Sequence, residues 1–249
     1  MNSPVYMMWL RQIKRYWRSR TRIIGSLAQP ILFLVALGFG FGAIFQKAGG
    51  GNYLDFLSPG IIGMSILFTA MFNGIEIIWD RQFGFLKETL IAPVSRYKIM
   101  IGRTLGGATV ASIQGLIVLL IAMLIGFRPT SIAMIPLALV FMFLIAILFT
   151  ALGTAIASKL EDMQGFQLIM NFIIMPLFFL SGALFPLDNL PSALNLVIKI
   201  NPFSYGVDGI RGALTGISHL GLGLDLTVLI TCSIIVTLIG SYLFSKIEI

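Results

Sequence analysis

Charged side chains are scarce in this sequence of 249 residues, where Asp, Glu, Lys and Arg together make up 11% of the composition. Soluble globular domains carry roughly a quarter charged residues, because water must solvate their surface. A chain with so few charges cannot cover a water-facing surface, and 57% of its residues are apolar. The composition therefore predicts a single-domain integral membrane protein that has lipid as its solvent.

Cysteine and histidine are almost missing, since Cys232 and His219 are the sole examples. One cysteine cannot form an intramolecular disulfide, and Cys232 lies in an apolar run that favours a packing role. A lone histidine without a second histidine or cysteine nearby argues against a metal site. The sequence also has no cluster of intramembrane carboxylates and no serine with a histidine partner at a suitable depth. These absences disfavour an intramembrane enzyme.

Long apolar runs stand in place of the missing charge, and about twenty such residues suffice to cross a bilayer as a helix. Six runs qualify: residues 23–45, 59–78, 102–127, 132–157, 166–187 and 226–244. Backbone polar groups in lipid need partners within the segment, which favours helices, and the ten-residue alternation of a membrane barrel is absent. The predicted fold is an all-α integral membrane protein with six transmembrane helices.

The basic residues lie mainly on one side of these spans. Thirteen of the seventeen Lys and Arg residues precede span one or follow spans two, four and six, and only Lys47, Arg128, Lys199 and Arg211 lie on the other side. Basic residues collect in cytoplasmic loops. The pattern predicts a multi-pass protein of the cytoplasmic (inner) membrane with both termini cytoplasmic, and it explains the net charge of +7 without nucleic-acid binding.

Residues 1–22 form a predicted interfacial amphipathic helix on the cytoplasmic side. Tyr6, Trp9, Leu10, Ile13 and Trp17 recur at helical spacing between basic residues. This pattern is typical of a helix whose aromatic face lies in the headgroup layer and whose cations face anionic lipid. The helix serves either as an anchor or as a cytoplasmic strut that also touches a partner.

Residues 188–224 are predicted to be extracellular. They contain two moderately apolar segments that are too short to span, and such lengths predict a pair of re-entrant helices. Asn201-Pro202 separates the two, because proline biases the preceding residue away from the helical conformation. Pro191 fits the start of the first helix, with Asp188 or Asn189 as its N-cap.

Residues 79–101 are the largest predicted cytoplasmic feature between spans. A helix over residues 81–91 has two faces: Phe83, Leu86 and Leu90 on one, and Arg81, Phe85 and Glu88 on the other. An aromatic ring among charges on a cytoplasmic helix predicts a docking contact. Gly84 beside it allows another backbone to approach. The alternative is a surface helix that lies on the headgroups.

Two stretches resemble ABC-2 type transporter permeases, the membrane subunits of one class of ATP-driven exporters. The stretch "WDRQFGFLKETLIAPVSRYKIMIGR", residues 79–103, is similar to the coupling-helix region of that family. The stretch "PLFFLSGALFPLDNLPSALNLVIKINPFSYGVDGIRGAL", residues 176–214, is similar to its signature across span five and the outer helix pair. The resemblance covers the whole chain in size, number of spans and orientation.

The resemblance implies the permease subunit of an ATP-driven exporter for an amphiphilic or hydrophobic substrate, such as a drug, an antibiotic or a lipid-like molecule. Lipo-oligosaccharide or polysaccharide export is the alternative within the family. A secondary carrier or channel is a further alternative, although the sequence lacks a charge pair at the membrane centre and matched broken spans. The working unit would be two permease chains, identical or different, with two ABC ATPase chains.

ATP hydrolysis is expected on the partner chains. A P-loop has the pattern G-x-x-x-x-G-K-[ST], and none of the seven lysines here lies in one. The chain is therefore expected to be no enzyme and to bind no cofactor, while ATP and Mg²⁺ belong to the ATPase. The resemblance assigns the contact with that ATPase to Arg81, Gly84, Phe85 and Glu88.

Polar side chains within the spans are the remaining candidates, because such groups usually face the bundle interior or a pathway. Asn73, Gln114, Thr150 and Asn171 are candidates for the translocation path, and helix–helix hydrogen bonding is the other interpretation of each. Glu76 is predicted to pair with Arg81 or with a basic residue of the N-terminal helix.

Overall fold

A computed structural model describes residues 3–47, 52–86, 91, 93–186 and 191–247. These residues are mainly helical and include no β-strand, in agreement with the predicted fold class. Numbered in chain order, the helices of the described residues are α1 (Pro4–Arg18), α2 (Arg20–Lys47), α3 (Tyr53–Gln82), α4 (Arg96–Ile125), α5 (Ile135–Lys159), α6 (Met163–Phe179), α7 (Ser192–Ile200), α8 (Pro202–Thr215) and α9 (Leu222–Ser245).

Within the described part of the chain, five helices are long and apolar enough to cross a membrane: α2, α3, α4, α5 and α9. They coincide with five of the six predicted spans. α3 runs past its predicted span at both ends and α4 at its start, because polar and charged side chains continue each helix where the apolar run stops. The structure therefore supports a multi-pass helical protein.

The predicted fifth span, residues 166–187, is shorter in the structure, where α6 ends at Phe179. At ~1.5 Å per residue it is about 25 Å long, less than the ~30 Å of a bilayer core. The chain turns at Gly182, which has φ 77°, and the Ser181 hydroxyl donates to the Phe178 carbonyl. The predicted end at residue 187 is wrong, because this turn stops the helix despite the apolar residues that follow.

α3 is the central helix of the bundle and packs against α2, α4, α5 and α8. Of the 18 residues in its most apolar stretch, 78% are buried, whereas the corresponding share is 17% in α2 and in α9. The Ala183 backbone lies so close to Gly60 of α3 that an added methyl group would overlap the Ala183 carbonyl. α2 and α9 lie at the periphery, where their apolar side chains are available to lipid or to another membrane subunit.

The N-terminal amphipathic segment forms α1 and ends at Ser19, so α2 begins as a separate helix. α1 lies along α4, where Gly106 admits the side chain of Gln12. The Trp9 indole N–H donates to the Thr109 hydroxyl at 3.1 Å. Part of the predicted headgroup face therefore contacts protein, while Trp17 is 59% exposed.

The two short helices predicted in residues 188–224 correspond to α7 and α8, and the predicted break at Asn201-Pro202 is confirmed. The Asn201 side chain caps α8 by accepting from the Phe203 N–H at 3.0 Å. Pro191 occupies the N-cap position of α7, whereas the predicted caps Asp188 and Asn189 lie outside the described residues. α8 is buried against α3, α5 and α9, and α7 is largely exposed.

Candidate functional site

Six charged side chains meet where α1, α2, α3 and α4 come together, at the end of the bundle that the charge pattern predicts to be cytoplasmic. We call this end the inner end and the cluster the inner ion-pair network: Glu76 and Asp80 of α3, Arg11 and Arg15 of α1, Arg22 of α2 and Arg103 of α4. Among the described residues of this network, four cations face two anions.

Glu76 is buried and pairs with two arginines. Its Oε1 lies 2.5 Å from Nη1 of Arg22, and its Oε2 lies 3.4 Å from Nη1 of Arg15. Arg22 also donates through Nη2 to Oδ1 of Asn73 at 2.7 Å. Because Arg15 belongs to α1, the predicted pairing of Glu76 with the N-terminal helix is confirmed. Arg81 takes no part in it.

Asp80 is the second buried carboxylate and pairs with Arg103, whose side chain is also buried. Arg11 and Arg15 lie 3.7 Å and 3.6 Å from its Oδ1. A buried charge left without its partner is strongly destabilising, by about 3–5 kcal/mol. Asp80 therefore holds α1 and α4 to α3 at one point.

Sequence reasoning missed Asp80 and Arg103 as partners. Asp80 follows Glu76 by four residues, a spacing that puts both carboxylates on one face of a helix. That spacing in the sequence indicates that Asp80 shares the surroundings of Glu76 and its basic partners. Arg103 was treated only as part of the orientation signal, because its distance of 23 residues from Asp80 along the chain gives no hint of the contact.

A cavity of about 500 Å³, which we call the inner groove, runs between α2, α3 and the start of α6. Its walls are mainly apolar and aromatic: Pro30, Met64, Phe68, Phe72, Ile75, Trp79 and Met163. Ser26, Gln29, Ser65 and Thr69 add small polar groups, and Arg22 and Glu76 lie at its inner end. This combination of apolar walls with a few polar groups is typical of a small-molecule site.

Tyr16 of α1 reaches into the bundle beside the inner groove. Its hydroxyl donates to Oε1 of Gln114 at 2.6 Å, and the ring is 2% exposed. Burial raises the pKa of Tyr16, and the nearby Arg22 cation opposes that increase. Tyr16 therefore stays a neutral donor at physiological pH and anchors α1 to α4.

Three of the four candidate path residues lie inside the helix bundle. Asn73 donates to the Gly107 carbonyl at 3.1 Å, and Gln114 accepts from Tyr16, so both join helices. Thr150 is 1% exposed and its hydroxyl has no partner among the described residues. Asn171 is exposed on α6 and accepts from the Gln167 amide at 3.3 Å.

The predicted coupling segment begins in the last turn of α3, at Arg81, and continues beyond the helix. This helix continues through Arg81 to Gln82, and the Arg81 guanidinium donates to the carbonyls of Ser158 and Leu160 at 3.0 Å each. The expected helix start at Arg81 is thus replaced by a bend at Gly84, which has φ 79°. Arg81 closes the end of α5, where carbonyls lack partners within the helix.

The bend changes which side chains face outward. Phe83 is 72% exposed and Leu86 is 3% exposed, so the two do not share a face as predicted. Phe85 is 51% exposed beside a second cavity, of about 900 Å³, that α1 and Asp80 also line. Glu88 and Leu90 lie outside the described residues.

A second charged cluster lies at the opposite end and was also missed from the sequence. Asp208 of α8 is buried and accepts from the Ser218 hydroxyl and from the N–H groups of His219 and Leu220. Arg211, one helical turn later, donates to the Gly182 carbonyl and lies 4.2 Å from the centre of the Phe56 ring. This cluster fixes the turn between α8 and α9.

Residues 4–215 match the family model described as ABC-2 type transporter. The chain belongs to the ABC-2 type transporter family. It is therefore a transport permease, and permeases of this ABC-2 family work with ABC ATPase subunits.

Named relatives cover nearly the whole ABC-2 chain. It is 29% identical to a transport permease, ycf38, of Cyanophora paradoxa over 243 residues, which are 90% of this chain and 82% of that protein. Nodulation protein J of Rhizobium leguminosarum bv. viciae is 27% identical over 226 residues, which are 90% of this chain and 86% of that protein. The inner membrane transport permease YadH of Escherichia coli K12 is 26% identical over 226 residues, which are 90% of this chain and 87% of that protein.

Proposed function

We propose that this ABC-2 permease is the membrane subunit of an ATP-driven exporter that moves an amphiphilic or hydrophobic substrate outward. Two permease copies and two ABC ATPase subunits form the working unit. The observation that carries the proposal is the inner groove, an apolar cavity of about 500 Å³ that ends at a buried ion-pair network. A substrate with an apolar body and a polar head matches such a cavity.

The translocation path lies between the two permease copies. Asn171 supports this route, because it is a polar side chain exposed on the apolar helix α6. Asn73 and Gln114 hold helices together by hydrogen bonds, and their contribution to the path is indirect. Thr150 packs against Gly107 in the same interior layer.

Motion of the ATPase reaches the permease through residues 79–101. Phe85, with half of its surface exposed, is the central contact, and Gly84 gives the bend that presents it. Glu88 adds a charged contact, and Arg81 ties the segment to α5. The inner ion-pair network then passes the movement to α1, α2 and α4, because one carboxylate pair of α3 binds all three.

Both termini lie in the cytoplasm, and the protein resides in the cytoplasmic membrane. The exposed cations of α1 support this orientation, since basic residues collect on the cytoplasmic side. The outer pair α7 and α8 then closes the bundle on the extracellular side.

Co-purification tests the proposal directly. The permease is expressed with an ABC ATPase encoded beside it, isolated through a tag on the permease and reconstituted in lipid. We expect the ATPase to co-purify and its hydrolysis rate to rise with an amphiphilic substrate from a screened panel. A permease that is purified folded but never retains or stimulates the ATPase would contradict the proposal.

A further inference from the structure

The depth of the inner groove matches one leaflet of a membrane. Its lining extends from Arg22 to Pro30 on α2 and from Met64 to Trp79 on α3. At ~1.5 Å per residue these stretches are about 12 Å and about 22 Å long, whereas half of a bilayer core is about 15 Å. Both stretches lie mainly in the half of their helix nearest the inner ion-pair network, so the groove occupies the inner half of the bundle.

The groove is partly open to its surroundings. Phe72 and Trp79 line it and are still 40% and 39% exposed. Of the five long apolar helices, α2 and α9 have the smallest buried share. An acyl chain can therefore enter sideways from the inner leaflet, without crossing the aqueous phase.

Among the described residues, the surroundings of the groove's inner end hold more cations than anions. Arg22 and Glu76 line the groove itself, and they belong to a network in which four arginines face two carboxylates. Lys14, Arg18 and Arg20 line the second cavity, which adjoins the same network through Asp80. Charges of one sign around a low-dielectric cleft focus its field and raise the local concentration of the opposite ion.

Membrane orientation alone does not require arginines to be held at the inner end of a cavity. Basic residues in any cytoplasmic loop set orientation, whereas Arg15 and Arg22 are held by Glu76 at the mouth of a cavity. The groove itself is lined by one cation and one anion, and the excess of cations lies in the network and the second cavity beside it.

We infer that the inner groove takes up amphiphiles with an anionic headgroup from the inner leaflet, in preference to zwitterionic or cationic ones. The inference rests on the proposed export function and specifies the substrate class of that site. The headgroup lies beside Arg22 at the inner end, and the apolar tail lies along Phe68 and Phe72. Cationic amphiphiles are repelled by the same field.

Trp79 provides a direct measurement, because it lines the groove and is one of three tryptophans in the chain. A Trp9→Phe, Trp17→Phe background leaves it as the sole indole. This permease is placed in phosphatidylcholine vesicles that contain either brominated phosphatidylglycerol or brominated phosphatidylcholine, whose bromine atoms quench tryptophan on contact. We expect half-maximal quenching at about fivefold lower mole fraction of the brominated phosphatidylglycerol, equivalent to ~1 kcal/mol per cation at a membrane surface.

Two variants separate the groove from the general surface charge. Arg22→Gln is expected to remove most of the fivefold preference, and Arg22→Lys is expected to keep it even if the glutamine variant folds poorly. Lys159→Gln makes the same change of charge at an exposed position at the inner end and should leave the preference unchanged. Equal quenching by both lipids, or an equal loss in Arg22→Gln and Lys159→Gln, would overturn the inference.

The complex with its ATPase distinguishes cargo from a resident lipid. As cargo, phosphatidylglycerol should stimulate ATP hydrolysis, and Arg22→Gln should lose that stimulation. Binding of phosphatidylglycerol without any stimulation would identify a resident lipid and overturn the assignment as cargo. Stimulation by amphiphiles regardless of headgroup charge would contradict this inference alone, whereas an ATPase that never associates would contradict the proposed function.

Discussion

At the scale of single residues, Asp80 shows how a few charges organise an apolar protein. It is buried at the inner end of α3 and pairs with Arg103 of α4, while two arginines of α1 approach from the other side. Asp80 and Arg103 lie where water is largely excluded, so each charge is stabilised mainly by the other. The pair is a structural joint between three helices.

Asp80→Asn should destabilise the permease by about 3 kcal/mol or more, because Arg103 would remain buried without its anion. Thermal unfolding in lipid nanodiscs measures this loss. Glu161→Gln, an exposed carboxylate at the same end, should change stability by less than about 0.5 kcal/mol. The double variant Asp80→Asn, Arg103→Gln should recover part of the loss, and a double variant worse than the sum of the singles would contradict the pairing.

Gly60 gives a second prediction at this scale. Gly60→Ala places a methyl group on the Ala183 backbone, which cannot move aside as a side chain can, and should cost about 1–3 kcal/mol of stability. Gly40→Ala in α2 meets open space and should be neutral or slightly stabilising. The same unfolding assay compares them. Equal stability of the two variants would show that the turn after α6 does not contact α3 as described.

At the scale of elements, the segment after α3 offers a comparison among three neighbouring side chains. Phe83 and Phe85 are both exposed, and Leu86 is buried. If residues 79–101 dock on the ATPase, Phe85→Ala should leave the permease folded while ATPase affinity falls by roughly thirtyfold, from the loss of about 2 kcal/mol at a central aromatic contact. Leu86→Ala should instead lower permease stability, as core truncations do.

Phe83→Ala is the matched control, because it removes an equally large exposed ring two residues away. Expression, co-purified ATPase and transport are measured for all three variants. Full transport and normal ATPase association in Phe85→Ala would rule out the docking role of this ring. The same loss in Phe83→Ala would show that the two rings act together.

Elements were predictable where local chemistry decides the backbone. The break at Asn201-Pro202 follows from proline alone, and five spans follow from long apolar runs. The early end of α6 was not predictable, since apolar residues continue beyond Phe179 and only the packing of Ala183 on Gly60 explains the turn. The bend at Gly84 was missed because the helical spacing of Phe83, Leu86 and Leu90 concealed it.

The candidate site was predictable only in part, because its shape depends on how the helices pack against one another. Glu76 was expected to pair with Arg81 or with the N-terminal helix, because an intramembrane carboxylate needs a nearby cation, and it pairs with Arg15 of α1. The inner groove was not expected, since it depends on how loosely α2 packs against α3, and no sequence pattern encodes that spacing.

At the scale of the whole molecule, the asymmetry of charge between the two sides predicts the orientation. In a Cys232→Ser background, single cysteines at Ser3, Ser192 and Ser245 report the side of α1, α7 and the end of α9. An impermeant thiol reagent on intact cells should label position 192 alone. Strong labelling at position 3 or 245 would reverse the orientation and place the inner groove in the outer leaflet.

The central claim is that ATP hydrolysis on a partner drives outward movement through this permease. Inside-out membrane vesicles that contain the permease and its ABC ATPase are given ATP and the fluorescent amphiphile that stimulates hydrolysis most strongly. We predict accumulation in the vesicle lumen that requires ATP, the permease and an intact P-loop lysine in the ATPase. Accumulation that persists without ATP, or in vesicles with the ATPase but no permease, would contradict the claim.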